Sequence, residues 1–140
     1  MAEEVKIMVV DDEEGVRESF KMILKIKDYD VQTFENGEAA VDSLKKDVFD
    51  LAFVDYKLPG MDGIEVLRKI KEIDPNVEVV IVTAYASESS HANAITLGAL
   101  EYLRKPFLME EIYELVERGL RKKRAKKMGK KEIGPIGPIH

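Results

Sequence analysis

The sequence contains no cysteine, and it has no long hydrophobic run. The absence of cysteine excludes disulfides, thiolate nucleophiles and zinc held by cysteine. The longest apolar stretches have the length of a strand, well short of the roughly 20 residues that a membrane-spanning helix needs. The first residues, MAEEVKIMVV, are acidic before they become apolar, whereas a secretory signal is basic at that point. These features predict a cytoplasmic protein without a membrane span.

Length and composition indicate one soluble, globular domain. The chain has 140 residues, 45% of them hydrophobic and 35% charged, which is enough for a full hydrophobic core. The charge is uneven, because nine of the 22 Lys and Arg residues lie in 118–131, where there is no Asp or Glu. A basic segment can bind nucleic acid or an acidic partner, but this one has no aromatic residues for base stacking. It is typical of a solvated helix end, so we do not expect this domain alone to bind nucleic acid.

Short runs rich in Val and Ile alternate with longer segments of helical period. The predicted strands are 6–10, 31–34, 51–55, 77–83 and 100–104. Four of the predicted helices are 14–27, 64–73, 87–97, which ends at Gly98, and 109–124. Another helix, between the second and third strands, is capped by Asn36 and has its apolar stripe at 39–44. Five such units predict an α/β fold: a doubly wound three-layer sandwich around a parallel five-stranded sheet. Residues 1–124 would form the domain, and 125–140 a basic, then Gly- and Pro-containing tail or linker that is disordered.

Polar residues recur where the predicted strands end. Asp11 and Asp12 end the first strand, Asp55 ends the third, Thr83 ends the fourth, and Lys105 follows the fifth. In open α/β sheets, ligands bind beyond the carboxyl ends of the strands, where the winding reverses. With the flavodoxin-like strand order 2-1-3-4-5, strands one and three are neighbours at that point. The three carboxylates are then expected to converge.

Three carboxylates in one cleft repel one another, so either their pKa values rise or a cation neutralises them. Oxygen ligands without His or Cys favour Mg²⁺, with Mn²⁺ as an alternative ion. A hydroxyl and a lysine beside that ion complete a phosphoryl-transfer site with an Asp nucleophile. Taken singly, each piece has a plainer explanation: an Asp pair can cap the first helix, and Thr83 and Lys105 can be ordinary strand-end residues.

Four motifs resemble those of the response-regulator receiver family of two-component signalling. They are VVDDEE (9–14), FVDYKLPGMDG (53–63), IVTAY (81–85) and GALEYLRKPF (98–107). The resemblance runs from about Lys6 to Arg124 and includes a fold like that of the chemotaxis regulator. It implies a phosphoprotein that receives its phosphoryl group from a sensor histidine kinase or a phosphotransfer protein, and that catalyses only its own phosphorylation and dephosphorylation.

The resemblance also implies the roles of the site residues. Asp55 would be the phosphoacceptor and a metal ligand, Asp12 a direct metal ligand, and Asp11 a ligand acting partly through water. The Lys57 backbone carbonyl would be a further metal ligand, and Thr83, Ala84 and Lys105 would bind the phosphoryl group. The resemblance also implies a cis peptide bond between Lys105 and Pro106. A cis bond before proline is uncommon and would fix the direction of the Lys105 side chain.

By the same resemblance, Tyr102 and Thr83 form the switch. Phosphorylation would draw Thr83 inward, and Tyr102 would rotate into the vacated space and alter the face of the fourth helix, fifth strand and fifth helix. That face would bind a partner or form a homodimer. The plainer interpretation of Tyr102 is a half-buried residue on an edge strand. Lys57 and Tyr85 occupy positions that tune phosphate lifetime in receivers, unless they are simply exposed loop residues.

Different functions share part of this pattern. His91 and His140 look like surface residues rather than phosphodonors. A haloacid-dehalogenase-like phosphatase also uses Asp and Mg²⁺, but it has a second Asp two residues after the nucleophile, where this chain has Lys57. A nucleotide enzyme is disfavoured because there is no GxxxxGK stretch. An interaction module with an inactive site and a receiver from a truncated transcriptional activator also stay open.

Overall fold

Strands and helices alternate along the part of the chain that the computed structural model describes, residues 4–85 and 87–131, with the backbone alone at 88–90 and 127–131. The strands are β1 (Lys6–Val10), β2 (Asp30–Phe34), β3 (Leu51–Asp55), β4 (Glu78–Thr83) and β5 (Glu101–Arg104). The helices are α1 (Glu14–Ile26), α2 (Gly37–Ser43), α3 (Gly63–Ile73), α4 (Glu88–Thr96) and α5 (Met109–Lys131). Among the described residues, no helix is long and apolar enough to cross a lipid bilayer.

The five strands form one parallel sheet in the order β2-β1-β3-β4-β5, which confirms the predicted fold class and strand order. β3 and β4 are buried along their whole length, as central parallel strands are, whereas every residue of the edge strand β2 is partly exposed. β1 and β3 pair from Ile7 with Leu51 to Val10 with Val54. Their carboxyl ends therefore lie side by side where the winding reverses.

Alternate side chains of the strands enter two hydrophobic cores, one on each face of the sheet. The first core joins the strands to α2, α3 and α4, through Met8, Val10, Ala52, Val54, Val79, Ile81, Ala40, Val66, Leu67, Ile70 and Ala94. The second joins them to α1 and α5, through Ile7, Val9, Phe53, Val80, Val82, Phe20, Leu24, Ile112, Leu115 and Val116. Because both faces are covered, the ends of the strands are the part of the sheet left open to a ligand.

The ends of the helices follow local signals in the sequence. The Asn36 side chain accepts a hydrogen bond from the backbone N–H of Ala39, which confirms Asn36 as the N-cap of α2. Asp62 and Glu65 form a capping box at the start of α3. After α4, Gly98 has φ = +105°, a conformation that glycine adopts readily, and this confirms the predicted C-cap.

The last helix continues past its predicted end. We predict that it stops at residue 124 and that a tail begins at 125, but α5 runs without a break to Lys131, so that part of the prediction is wrong. Lys, Arg and Ala favour helix, and the sheet anchors the extension. The Glu78 carboxylate is fully buried and lies 3.7 Å from Lys122 Nζ and 3.1 Å from Lys126 Nζ. The predicted tail at 132–140, with His140, lies outside the described residues.

Removal of the Lys126 ammonium is expected to destabilise the fold. Lys126→Met takes away the hydrogen bonds to the Pro75 carbonyl and to Glu78, and the buried carboxylate of Glu78 is then less well compensated. We expect a loss of about 1–2 kcal/mol in urea unfolding. Arg121→Met, at an exposed position of the same helix, is the matched control and should change stability by less than about 0.5 kcal/mol. Equal losses in the two variants would show that Glu78 does not anchor the helix.

Candidate functional site

The predicted acidic residues meet at the carboxyl edge of the sheet. Asp55 is the last residue of β3, and Asp11 and Asp12 directly follow β1. The three side chains each offer a carboxylate oxygen, and these oxygens all lie within 4.8 Å of one another. Asp11 and Asp55 are buried, whereas Asp12 is exposed. An all-oxygen cluster of this kind, open to solvent on one side, suits a hard divalent cation that retains water ligands.

Lys105 supplies positive charge between the two buried aspartates. Its ammonium donates to Asp11 Oδ2 at 3.1 Å and lies 3.6 Å from Asp55 Oδ1. The peptide bond from Lys105 to Pro106 is cis, as predicted, and the Lys105 backbone N–H donates to the Thr83 carbonyl of β4. Burial alone would lower the pKa of Lys105, but its hydrogen bond and charge interaction with Asp11 and the charges of Asp55 and Glu13 raise that pKa above its usual value. Lys105 is therefore a protonated cation at neutral pH.

The carboxyl group of Asp55 is harder to ionise than an ordinary one. The pKa of Asp55 is raised from 3.8 to about 6, chiefly by burial and next by the neighbouring charge of Asp11. The charge of Lys105 and a hydrogen bond from the Lys57 backbone N–H lower it, but by less. The cost of ionisation arises from desolvation and like-charge repulsion, and a cation placed among the three carboxylates would relieve the repulsion.

The loop between β1 and α1 holds Asp11 in place. Asp11 Oδ1 accepts a hydrogen bond from the Glu13 backbone N–H at 2.9 Å, and Arg17 Nη1 donates to the Asp11 carbonyl at 2.8 Å. Helix α1 begins after Glu13, which makes no side-chain capping bond. The plainer interpretation, in which Asp11 or Asp12 is the N-cap of the first helix, is therefore wrong. The sequence motifs assign no role to Glu13 or Arg17, because the contacts of these residues depend on how the loop folds.

A tight turn behind Asp55 fixes the end of β3. The Gly63 backbone N–H donates to the Tyr56 carbonyl at 3.0 Å, which brings the start of α3 against the backbone of β3. A Cβ atom at Gly63 would overlap the Asp55 carbonyl oxygen and lie 2.7 Å from Tyr56 Cα. Only glycine fits there, and the sequence indicates merely that the turn is rich in Pro and Gly.

The mouth of the cleft consists of the residues after β3 and β4. Thr83 is buried, and its hydroxyl oxygen accepts a hydrogen bond from the Tyr85 backbone N–H at 2.9 Å. Ala84 and Tyr85 are exposed at the rim, and Lys57 Nζ lies 4.8 Å from the centre of the Tyr85 ring. The whole cleft is lined by Asp12, Glu13, Asp55, Lys57, Thr83, Ala84, Tyr85 and Lys105. The structure thus brings the predicted metal-binding, phosphoryl-binding and lifetime residues to one place.

The predicted switch residue Tyr102 lies away from the cleft, on the edge strand β5. It pairs with Ile81 in the β4–β5 register, and its ring is half-buried against the core. His91, which we predict to be a surface residue, is half-exposed, but its imidazole stacks on the Tyr102 ring with centroids 4.9 Å apart. Nothing in the sequence around His91 points to that contact.

Comparison with known proteins agrees with this geometry. Residues 7–117 match the sequence model of the response regulator receiver domain. The chain belongs to this family. Sporulation initiation phosphotransferase F of Bacillus subtilis (strain 168) is 41% identical to this receiver over 117 residues, which make up 82% of this chain and 93% of that protein. Response regulator MprA of Mycolicibacterium vanbaalenii is 35% identical over 108 residues, 77% of this chain and 47% of that protein.

Solved structures show the same relationship. The receiver domain protein (CheY-like) from Methanospirillum hungatei JF-1 superimposes on this receiver with a TM-score of 0.84 at 28% identity, over 89% of this chain and 99% of that one. The protein is thus a receiver domain of two-component signal transduction, and its signalling role is activated by phosphorylation. Receiver domains bind Mg²⁺ in their acidic pocket and interact with histidine kinases or phosphotransfer proteins.

Proposed function

We propose that Asp55 is the residue that becomes phosphorylated, in a reaction that depends on Mg²⁺. The observation that carries this proposal is the convergence of the Asp11, Asp12 and Asp55 carboxylates with the Lys105 ammonium at one edge of the sheet. Asp55 is the deepest carboxylate that still lines the open cleft. Asp11, Asp12, Asp55 and the Lys57 backbone carbonyl would hold the ion, which supplies charge neutralisation between the carboxylates and the phosphoryl oxygens.

In the reaction, a carboxylate oxygen of Asp55 attacks the phosphorus atom of the donor. A new P–O bond forms to Asp55 as the bond between phosphorus and the leaving group breaks, and the electron pair departs with the leaving group. The product is an acyl phosphate. Lys105, freed from its contact with Asp55, then pairs with the phosphoryl group and offsets its charge.

The Thr83 hydroxyl and the Ala84 backbone complete the phosphoryl site. Thr83 would exchange its hydrogen bond with the Tyr85 N–H for one that its hydroxyl donates to a phosphoryl oxygen. That exchange moves Thr83 toward Asp55 and alters the packing next to Tyr102. The face made by α4, β5 and α5 would change with it, and this face would bind a partner or a second copy of the chain when Asp55 is phosphorylated.

Lys57 and Tyr85 together would set the lifetime of the acyl phosphate. Both line the cleft, and the Lys57 ammonium lies over the face of the Tyr85 ring at 4.8 Å. In that arrangement the two side chains would limit the access of water to the acyl phosphate on Asp55. The protein would then act only on its own phosphoryl group, with a sensor histidine kinase or phosphotransfer protein in the cytoplasm as the donor.

Incubation with acetyl phosphate tests the proposal. With Mg²⁺ present, intact-mass analysis should show one added phosphoryl group per chain, and peptide mapping should place it on Asp55. Chelation of the metal should abolish the addition, because the uncompensated carboxylates repel an incoming phosphate. An addition that survives chelation, or one on another residue, would contradict the proposal. Steady turnover of a small phosphomonoester would favour a phosphatase instead.

A further inference from the structure

The Tyr102 hydroxyl is in an unfavourable position. Its oxygen is buried and, among the described residues, has no hydrogen-bond partner. Burying a hydroxyl without a partner costs free energy that packing or stacking has to offset. The ring does pack against the core beneath α4. We call this arrangement, with the hydroxyl buried, the inward position of Tyr102.

His91 covers the inward ring from the side of α4. The imidazole and phenol planes differ by only 17°, and their centroids are 4.9 Å apart, which is the geometry of an offset stack. The contact joins residues from different elements, since His91 belongs to α4 and Tyr102 to β5. Because the His91 ring lies against the phenol on that side, rotation of Tyr102 outward past α4 would require the His91 ring to be displaced.

Glu101 holds the imidazole in that orientation. His91 Nε2 lies 2.9 Å from Glu101 Oε2, and the same oxygen accepts the Tyr102 backbone N–H at 3.1 Å. The other carboxylate oxygen lies 3.4 Å from Arg118 Nη2 of α5. One glutamate therefore connects α4, β5 and α5. The charged groups that line the surrounding groove with these residues are Arg104, Glu111 and Glu114.

We propose that His91 is a positioning residue for Tyr102: its ring holds the phenol inward, and Glu101 with Arg118 fixes that ring in place. A movement of Thr83 that alters the packing of Tyr102 would then also displace His91 on the surface of α4, because the two rings are already in contact. Tyr102 acts as a switch only if Asp55 is phosphorylated, so the role of this contact in signalling rests on the proposed function. The contact itself can be tested without any phosphodonor.

The test follows the Tyr102 ring by ¹⁹F NMR in protein labelled with 3-fluorotyrosine. A Tyr102→Phe variant identifies its resonance among those of the five tyrosines. His91→Ala removes the stacked ring, whereas His91→Phe retains a ring but loses the bond to Glu101. Asn93→Ala, at an exposed position of the same helix, reports any general effect of changing α4.

In His91→Ala we expect the ratio of inward to outward Tyr102 to fall about two- to tenfold, the range for loss of one aromatic stack. The resonance should shift toward its position in the unfolded protein and become more sensitive to the exchange of H₂O for D₂O. His91→Phe should restore part of the wild-type shift, because it keeps the ring but loses the bond to Glu101, and Asn93→Ala should leave the shift unchanged. Circular dichroism establishes that each variant is folded.

Three outcomes would overturn the proposal. They are an unchanged Tyr102 resonance in His91→Ala, an equal shift in Asn93→Ala, and a shift in His91→Phe as large as that in His91→Ala. Failure of the acetyl phosphate experiment is a separate result, because it would remove the phosphoacceptor role of Asp55 and leave the NMR comparison of the unmodified proteins intact.

Discussion

Asp55→Asn is expected to abolish Mg²⁺-dependent phosphoryl transfer and, in the same protein, to increase stability. The amide cannot act as the carboxylate nucleophile, so intact-mass analysis after treatment with acetyl phosphate should show no added phosphoryl group. Asp62→Asn is the matched control, because Asp62 is an exposed N-cap outside the cleft, and asparagine also caps helices well. It should be modified to the same extent as the wild type.

The gain in stability follows from the raised pKa of Asp55. Folding raises this pKa from 3.8 to about 6 through burial and the charge of Asp11, so the folded protein binds the proton more tightly than the unfolded chain does. The resulting stabilisation is fully present below about pH 4 and is lost as the pH rises through 6. Asparagine does not ionise. In the presence of a chelator, the free energy of unfolding of Asp55→Asn should therefore exceed that of the wild type by nearly zero at pH 4 and by about 1–3 kcal/mol at pH 7.

Urea unfolding of the two proteins across this pH range measures the difference. Added Mg²⁺ should stabilise the wild type and have far less effect on Asp55→Asn, since the variant has lost a carboxylate ligand. A constant stability difference from pH 4 to 7, or equal stabilisation of both proteins by Mg²⁺, would contradict the electrostatic account of the cleft.

Gly63→Ala is expected to cost about 3 kcal/mol of stability, since the added methyl group meets backbone rather than a flexible side chain. Its Cβ would overlap the Asp55 carbonyl and lie 2.7 Å from Tyr56 Cα. The end of β3 must move to accommodate it, and Asp55 moves with that strand. Since small displacements of reacting groups slow a reaction by about a hundredfold, phosphorylation by acetyl phosphate should also fall steeply in the folded fraction.

Gly15→Ala provides the control for the loss of a glycine. Gly15 lies in the first turn of α1, where an added methyl group would have no atom of the described residues within 4 Å, so alanine there should be neutral or stabilising by about 0.5–1 kcal/mol. Thermal or urea unfolding compares the two variants directly. If both glycines tolerated alanine equally, the close approach of α3 to β3 would not be what fixes the end of the strand.

The sequence predicts this fold well because its signals are local and agree with one another. The apolar runs of β3 and β4 require burial on both faces, the Asn36 side chain caps the start of α2, and Gly98 ends α4 with its positive φ. The candidate site is predictable for a related reason. Once the sheet is parallel, the residues that end its strands share one edge, so the convergence of Asp11 and Asp55 follows from the topology.

Contacts between distant elements could not be predicted in this way. The end of α5 depends on the buried charge of Glu78, which lies on β4 and carries no signal in the basic sequence of the helix. The role of His91 depends on how α4 packs over β5, and α4 has little apolar periodicity to reveal which side faces the sheet. Gly63 is distinguished only by its distance from the Asp55 backbone.

The hydrogen bond between Lys105 and Asp11 links the completeness of the candidate site to the completion of folding. It joins residues 94 positions apart in sequence, one after the first strand and the other after the last. The two groups meet only when β1, β3, β4 and β5 have assembled in register, and closure of so long a segment is slow compared with the formation of a single helix. A partly folded chain therefore lacks the Lys105 ammonium beside Asp55, and on the proposed function phosphorylation would be confined to molecules whose sheet is complete.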